Sequence, residues 1–519
     1  MARTHAGATV CALLLAALIS GRPPAGDAAA AGLHPTPRQP VALALATEGR
    51  WLFVANRQSG SVSVIDTASL QVTAEMPIGR RLADLDLAPD GEHLVVADEE
   101  AGELVLLRRR GGDLTAVGRA KVAAGPVSVR FAADGSLCTA VSLWPRLLTV
   151  VRLAPPRDVP QVRNTIALPF AGRAQLPLPG GKLVVADSFG GRLAVVDLNR
   201  GEVESDRTLP AHNIRGLALT ADGRRLLVSH QLLNGQATTS GDDVHWGNLL
   251  ANGVRELPLG GVLDRTADPL RDSRLHRLGE IGRGAGDPAG VATAPDGKVV
   301  VALAGVGEVA VAARPGGDWQ RIAVGRRPTA VAVSPDGRRA YVANTHADTI
   351  SVLNLEENRR TADVLLGTGP DPTPAERGER LFYDARLSKE GWFSCHSCHT
   401  DGHSNGQLAD TLTDGSYGTP KRVLSLLGVA DSGPWAWNGG VKTLGAMVRR
   451  SVQTTMRGKL SAGQENDLVA YLQTLRPPPP RNRLRETSDA DAVRRGRESF
   501  GRRGCGDCHA PPTYTSAKA

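Results

Sequence analysis

The sequence predicts an all-β seven-bladed propeller, followed by an α-helical domain and the start of a second helical domain. Three observations carry that prediction. Between about residues 40 and 369, alternating strands around a glycine-containing turn recur seven times. After Gly369 the apolar period changes from that of a strand to that of a helix. In this helical part, a helix followed by Cys-x-x-Cys-His is written twice.

The first element is a leader. Arg3 and His5 precede an apolar run from Ala8 to Ile19, and the small residues Gly26-Asp27-Ala28-Ala29-Ala30-Ala31 follow it. Residues 1–31 therefore read as a secretion signal with its cleavage site. The run is about a dozen residues, short of the ~20 that cross a bilayer. Cys11 lies inside it rather than after it, which argues against a lipoprotein anchor. No later segment is apolar enough to span a membrane. The expected product is soluble and exported, periplasmic or beyond, with no transmembrane segment.

Residues 32–369 are the expected propeller. The turns are Glu48-Gly49, Asp90-Gly91, Asp134-Gly135, Gly180-Gly181, Asp222-Gly223, Asp296-Gly297 and Asp336-Gly337. They are spaced 40 to 46 residues apart, except for 74 between Asp222 and Asp296. A period near 40 with three or four short strands per unit is that of propeller blades, and Asp-Gly supplies the positive φ of a tight hairpin. Strands such as Leu94-Val95-Val96-Ala97-Asp98 and Ala340-Tyr341-Val342-Ala343-Asn344 resemble the YVTN family of bacterial propellers. The long interval holds an insertion at about 231–262, in the fifth blade. Its neighbourhood carries His230, Asp242, Asp243, His245 and Trp246. These would suit a metal or a pocket cap; the preferred reading is a surface loop that covers the propeller mouth or docks the next domain.

Residues 370–476 form the expected first helical domain. Thr373-Pro374-Ala375-Glu376 is a capping box with proline at the first helical position. A second box, Ser461-Ala462-Gly463-Gln464, opens a helix with Leu468, Tyr471, Leu472 and Leu475 on one face. Residues 477–487 begin with four prolines and read as a stiff linker. Residues 488–519 begin a second domain, with a cap at Ser488-Asp489-Ala490-Asp491 and a helix over Ala492 to Phe500.

Each helix leads to one motif, Cys395-His396-Ser397-Cys398-His399 and Cys505-Gly506-Asp507-Cys508-His509. Cysteines at i and i+3 share one face of a helical turn, which sets both thiols under the two vinyl groups of one haem. The next residue, His399 or His509, turns its imidazole to the iron. A bare Cys-x-x-Cys would also suit a zinc half-site or a redox disulfide. The terminal histidine in both copies, together with export, predicts two covalently bound c-type haems. Four of the six cysteines are used in this way; Cys138, between Leu137 and Thr139, is expected to be a buried filler. Beyond Met1 the methionines are Met76, Met447 and Met456. Met456 lies where the chain returns to the closing helix and is the expected sixth ligand of the first iron; Met447 is expected in the core. His403 is expected at the surface or beside the haem propionates.

Residues 374–519 resemble the bacterial dihaem cytochrome c peroxidase family. The matching stretches are Gly378-Glu379-Arg380-Leu381-Phe382-Tyr383-Asp384-Ala385-Arg386-Leu387-Ser388, Phe393-Ser394-Cys395, Pro434-Trp435-Ala436-Trp437-Asn438-Gly439, and Cys508-His509-Ala510-Pro511-Pro512-Thr513-Tyr514-Thr515. The resemblance implies cytochrome c domains and an oxidoreductase with one haem for electron entry and one for chemistry. It also implies a small redox protein or quinol-linked donor, with hydrogen peroxide as an oxidant. The aromatic at the Trp437 position would relay electrons between haems, although pocket packing is its plainer reading. In the family the peroxidatic haem carries a distal histidine, whereas this chain offers methionine, which favours electron transfer at the first haem. Ten residues follow His509, too few for a distal wall, so a fragment is expected. The alternative reading is a dihaem electron carrier whose propeller docks a partner or substrate.

The formal charge is 61 − 53 = +8. Arg476 onward holds ten basic and five acidic residues, a net +5, so most of the excess is local. Such a face would steer an acidic redox partner, or it is simply a solvated Arg-rich surface. Nothing in it suggests nucleic acid.

Overall fold

The computed structural model describes residues 36–154, 159–412, 415–487, 489–511 and 514. The expected secretion signal lies outside them. Among the described residues no helix is long and apolar enough to cross a membrane.

Seven antiparallel four-stranded sheets follow one another over residues 40–365, each built from one continuous stretch of chain. The first strand of each sheet neighbours the first strand of the next, so these strands ring the axis. The second and third strands, such as Trp51–Asn56 and Ser61–Asp66, are buried almost throughout. Both faces of each blade are covered by its neighbours, which explains their near-continuous apolar runs. Fourth strands, such as Gln71–Pro77, lie largely exposed at the rim. At the seven expected turns, Gly49, Gly91, Gly135, Gly180, Gly223, Gly297 and Gly337 have φ between +68° and +92°, which a side chain would strain. In five of them the preceding Asp accepts from the backbone N–H two residues on, as Asp90 does from Glu92 at 2.8 Å.

The ring closes without strand exchange. Leu52, Val54 and Ile65 of blade 1 pack with Tyr341, Ala343, Ile350 and Val352 of blade 7. Thr345 Oγ1 donates to Pro40 O at 2.7 Å, and Gln39 N donates to Asp348 Oδ1 at 2.7 Å. Cys138 is buried in the apolar layer between blades 2 and 3, as expected.

The insertion in blade 5 differs from the expected 231–262. Its central strands, Arg225–Leu233 and Leu250–Pro258, run on as a long hairpin, so the extra chain is two excursions, 234–249 and 259–273. The first excursion carries a helical turn at Gly241–His245 and docks on the helical domain. His245 Nδ1 meets the Glu390 carboxylate at 2.9 Å, and Thr239 N donates to Asp410 O at 3.2 Å.

After the last blade strand, Arg359–Leu365, the chain enters helix α1 (Pro374–Phe382). Its capping box is present: Thr373 Oγ1 accepts from Glu376 N, and Glu376 reaches back to Thr373 N. Helix α2 (Cys395–Cys398) is the first motif, α3 spans Leu444–Arg450, and α4 (Ala462–Leu472) closes the domain. Helices α1 and α4 cross at Gly378, where a Cβ would lie 1.9 Å from Asp467 O. Arg377 reinforces the crossing by a two-pronged pair with Asp467 at 2.8 and 2.9 Å. The expected linker contains one helical turn, Arg481–Leu484, and Arg485 donates to Pro145 O and Arg146 O on the propeller. Helix α5 (Ala490–Arg502) is capped by Asp489 and buries no residue.

Because side-chain packing closes the ring, Leu52→Ala should cost about 2–5 kcal/mol and expose the blade 1–blade 7 seam. Denaturant unfolding should show that loss, and Val493→Ala on the exposed α5 should stay within about 0.5 kcal/mol of the parent. Equal effects of the two would contradict closure by packing.

Candidate functional site

The first motif sits over the axial mouth of the propeller, at the end where inner strands begin. At this rim four non-glycine residues, Gln39, Asn213, Asp287 and Arg327, adopt left-handed φ of 52° to 57°. Such conformations are uncommon outside glycine and persist where surroundings hold them. Asp287 accepts from both hydroxyls flanking the first cysteine, Ser394 Oγ and Ser397 Oγ, the latter at 2.6 Å. His212, pushed down to about 3 by burial and by His230, is neutral and pairs its Nε2 with Ser397 O at 3.1 Å.

Beyond the motif, Asp401 accepts from Arg173 at 2.8 Å and Arg215 at 2.9 Å, both on inner strands. Its backbone N–H donates to His396 Nδ1 at 3.0 Å. Burial alone would raise this carboxyl, but Arg173 and Arg215 outweigh it and hold it well below the usual range. Asp287 shifts the other way: burial raises it, and the Ser394 and Ser397 hydroxyls with the Arg215 and Arg327 guanidiniums offset this only in part. From Arg215 a buried chain runs through Asn213 (2.5 Å), Gln231 (2.8 Å) and Asn252 (2.8 Å) to Trp392 O (2.8 Å). The Trp392 ring fills a hollow where Cβ atoms on Gly247 and Gly279 would stand 2.3 and 2.9 Å from it. Arg327 lies 3.4 Å from the ring centroid of Tyr383, within cation–π range.

On its other side the motif opens into a cavity of about 470 Å³, a size ordinary for a small-molecule or cofactor site. Cys395, Cys398 and His399 form one part of its wall, and Met447, Val448 and Met456 another. His399 Nδ1 is 2.8 Å from Leu424 O. With Nδ1 engaged as the donor, Nε2 is the lone-pair nitrogen. Burial pushes the thiols up to about 12, with the neighbouring Cys398 adding to the shift at Cys395, so both are protonated. Among the described residues no group of three or more His, Cys, Asp or Glu is arranged to hold a metal ion. The cavity is lined mainly by apolar side chains, with one oriented imidazole, two neutral thiols and two thioethers on its wall and Lys421 and Arg422 also at its lining, which fits an anionic macrocycle better than a bare cation.

Met456 is 4% exposed and its sulfur lies 3.9 Å from Cys395 Sγ. Met447, expected in the core, instead lines the cavity and is only half-buried. Trp437 also lines the cavity but is 52% exposed, at the rim, whereas Trp435 is half-buried and donates its Nε1–H to Val429 O at 3.0 Å. His403 is held between Ser425 Oγ (2.9 Å) and the propeller rings of Trp144 and Phe189. The second motif is far less enclosed: Cys508 and His509 are exposed, and His509 Nδ1 is 3.0 Å from Tyr514 O.

Sequence reasoning did not find Asp287, Arg173, Arg215 or Asp401. A charged residue directly before proline at an inner-strand start, as in Asp287-Pro288 and Arg327-Pro328, was the available signal.

Comparisons with known proteins agree with this division. Residues 372–479 match the family described as di-haem cytochrome c peroxidase. Residues 20–131 match the family described as lactonase, 7-bladed beta-propeller. Among solved structures, the hydrazine synthase of Kuenenia stuttgartiensis is similar at 20% identity and TM-score 0.53, over 62% of this chain and 98% of that one. A functionally unknown protein from Desulfotomaculum acetoxidans is similar at 13% identity and TM-score 0.48, over 62% of this chain and 97% of that one. The first of these likenesses shows the fold alone. No curated protein matches the chain.

Removing the Asp401 charge leaves two guanidiniums unpaired, so Asp401→Asn should destabilise the protein by about 3–5 kcal/mol. Its pKa is depressed in the fold, so its contribution is present above the unfolded carboxylate range and is lost only as pH falls through the lower folded value. The gap between parent and variant in thermal unfolding should be full at neutral pH and close in strong acid. A gap independent of pH would contradict this assignment.

Proposed function

We propose that this chain is an exported dihaem c-type oxidoreductase of the cytochrome c peroxidase type, taking electrons from a small redox protein or a quinol-linked donor and passing them to hydrogen peroxide. The observation that carries the proposal is His399, tied through Nδ1 to Leu424 O, in the wall of an apolar cavity that also holds Cys395, Cys398 and Met456. The match of residues 372–479 to the peroxidase family supports it further. Cys395 and Cys398 would hold the first haem by thioethers, His399 would offer Nε2 to its iron, and Met456 would supply a thioether ligand. Cys505, Cys508 and His509 hold the second haem. When bound, each haem supplies one-electron chemistry at a potential set largely by its axial ligands.

The chain's own residues then divide the work. The Leu424 carbonyl fixes the tautomer and orientation of His399. The largely apolar wall would keep water from the first iron, and Met456 as a ligand would keep peroxide from it. The first site would therefore take electrons in, which leaves the chemistry to the second haem. Trp437, at the cavity rim, is the proposed relay between them. A non-enzymatic dihaem carrier is the second reading, and Met456 at the first site is the observation that favours it.

Protein matured in a periplasm should show the far-red thioether–iron charge-transfer band when oxidised. Met456→Ala should abolish that band, and Met447→Ala should keep it. Steady-state assays with a reduced donor should show peroxide consumption that falls in Trp437→Phe while both haems are retained. Two six-coordinate, low-spin haems in every redox state, with no turnover, would establish the carrier instead.

A further inference from the structure

The cavity is not made by the helical domain alone. Leu233, Leu249 and Leu250 of blade 5 contribute to its wall and pack in one apolar cluster with Phe393, Val452 and Met456. The blade 5 excursion therefore backs the methionine turn as well as docking on the domain.

Met456 needs such backing. Its side chain is unbranched and flexible, so packing and backbone restraint must fix where its sulfur lies. Met456 follows a π-type turn, Ser451–Thr455, and its carbonyl accepts from Lys389 N at 2.8 Å. The next residue, Arg457, has φ +58°, a left-handed conformation uncommon in a non-glycine residue. Its Nε donates to Thr239 O of the excursion at 2.6 Å, and its Nη2 donates to Tyr417 OH at 2.7 Å. Lys389 Nζ donates to Gly241 O in the same excursion at 3.1 Å. Two residues thus tie the methionine turn to the propeller, one through the carbonyl of Met456 and one directly after it. Charge-assisted bonds of this kind are the stronger class.

We propose that the propeller fixes the axial ligation of the first haem: Arg457, latched to Thr239, is a positioning residue that holds the Met456 thioether in place and keeps external ligands off the iron. This rests on the reading of Met456 as the sixth ligand. The fused propeller would then set the electronic state of the first site, which an isolated haem domain would lack.

The test uses the full chain carrying its haems, with imidazole as the external ligand. Arg457→Asn keeps a side chain that tolerates positive φ but cannot reach Thr239 O. It should retain both haems by mass, weaken the charge-transfer band, lower the potential of the first haem and bind imidazole about tenfold more tightly or better, the least expected from losing the charged hydrogen bonds to Thr239 O and Tyr417 OH. Arg457→Lys, long enough to reach the same carbonyl, should restore part of the band. If Arg457→Asn does not accumulate, Arg457→Gly, which accepts the positive φ and removes the latching side chain, is read in the same way. A band, potential and imidazole affinity equal to the parent's would overturn the latch. A parent without the band, or a band that survives Met456→Ala, would instead overturn the ligand reading on which the latch rests.

Discussion

A carboxylate held between two guanidiniums places the first motif. Asp401 is largely withdrawn from water, and that is tolerable because Arg173 and Arg215 reach it from two neighbouring inner strands. Buried pairs of this kind add little net stability but penalise every other arrangement strongly. The position of the Cys395–His399 turn is thereby tied to the propeller axis. Asp287 on the opposite side of the turn and Trp392 in its glycine-lined hollow complete the attachment. The cavity behind His399 takes its shape from that docking.

The propeller is accordingly more than a platform. Its rim holds the cysteine turn from one side, while the blade 5 excursion closes the cavity from another. The lactonase likeness covers residues 20–131, which end before the inner strands that meet Asp401, and so speaks for architecture rather than activity. In this chain the mouth of the ring is occupied by α1, the first motif and their side chains. Tyr383 beneath Arg327 is one example.

Much of this was legible in the sequence because it rests on local rules. Glycine-containing turns, five of them Asp-Gly, reported seven blades, since a positive φ at each hairpin leaves few alternatives to glycine. The capping boxes at Thr373 and Ser461 gave helix starts that the structure reproduces. The two Cys-x-x-Cys-His motifs, and the return of Met456 towards the first, were visible as spacing. The four-stranded composition of each blade was less so, because the exposed fourth strand lacks an apolar pattern. Least visible were the charges at the rim. Arg173, Arg215 and Asp287 are separated by 228, 186 and 107 or more residues from their partners, and apart from the proline after Asp287 no local pattern distinguishes them from surface charge. Met447 was misread for the same reason: helical spacing placed it on an apolar face without saying whether that face meets core or cavity.

The central claim is that Cys395, Cys398 and His399 hold a haem in a cavity shared with the propeller. The most direct measurement is the mass of the proteolytic peptide spanning Phe393 to His399, taken from protein matured in a periplasm with a cytochrome c assembly system. The account predicts one haem bound through both cysteines of that peptide. Free thiols, or a Cys395–Cys398 disulfide without haem, would contradict it.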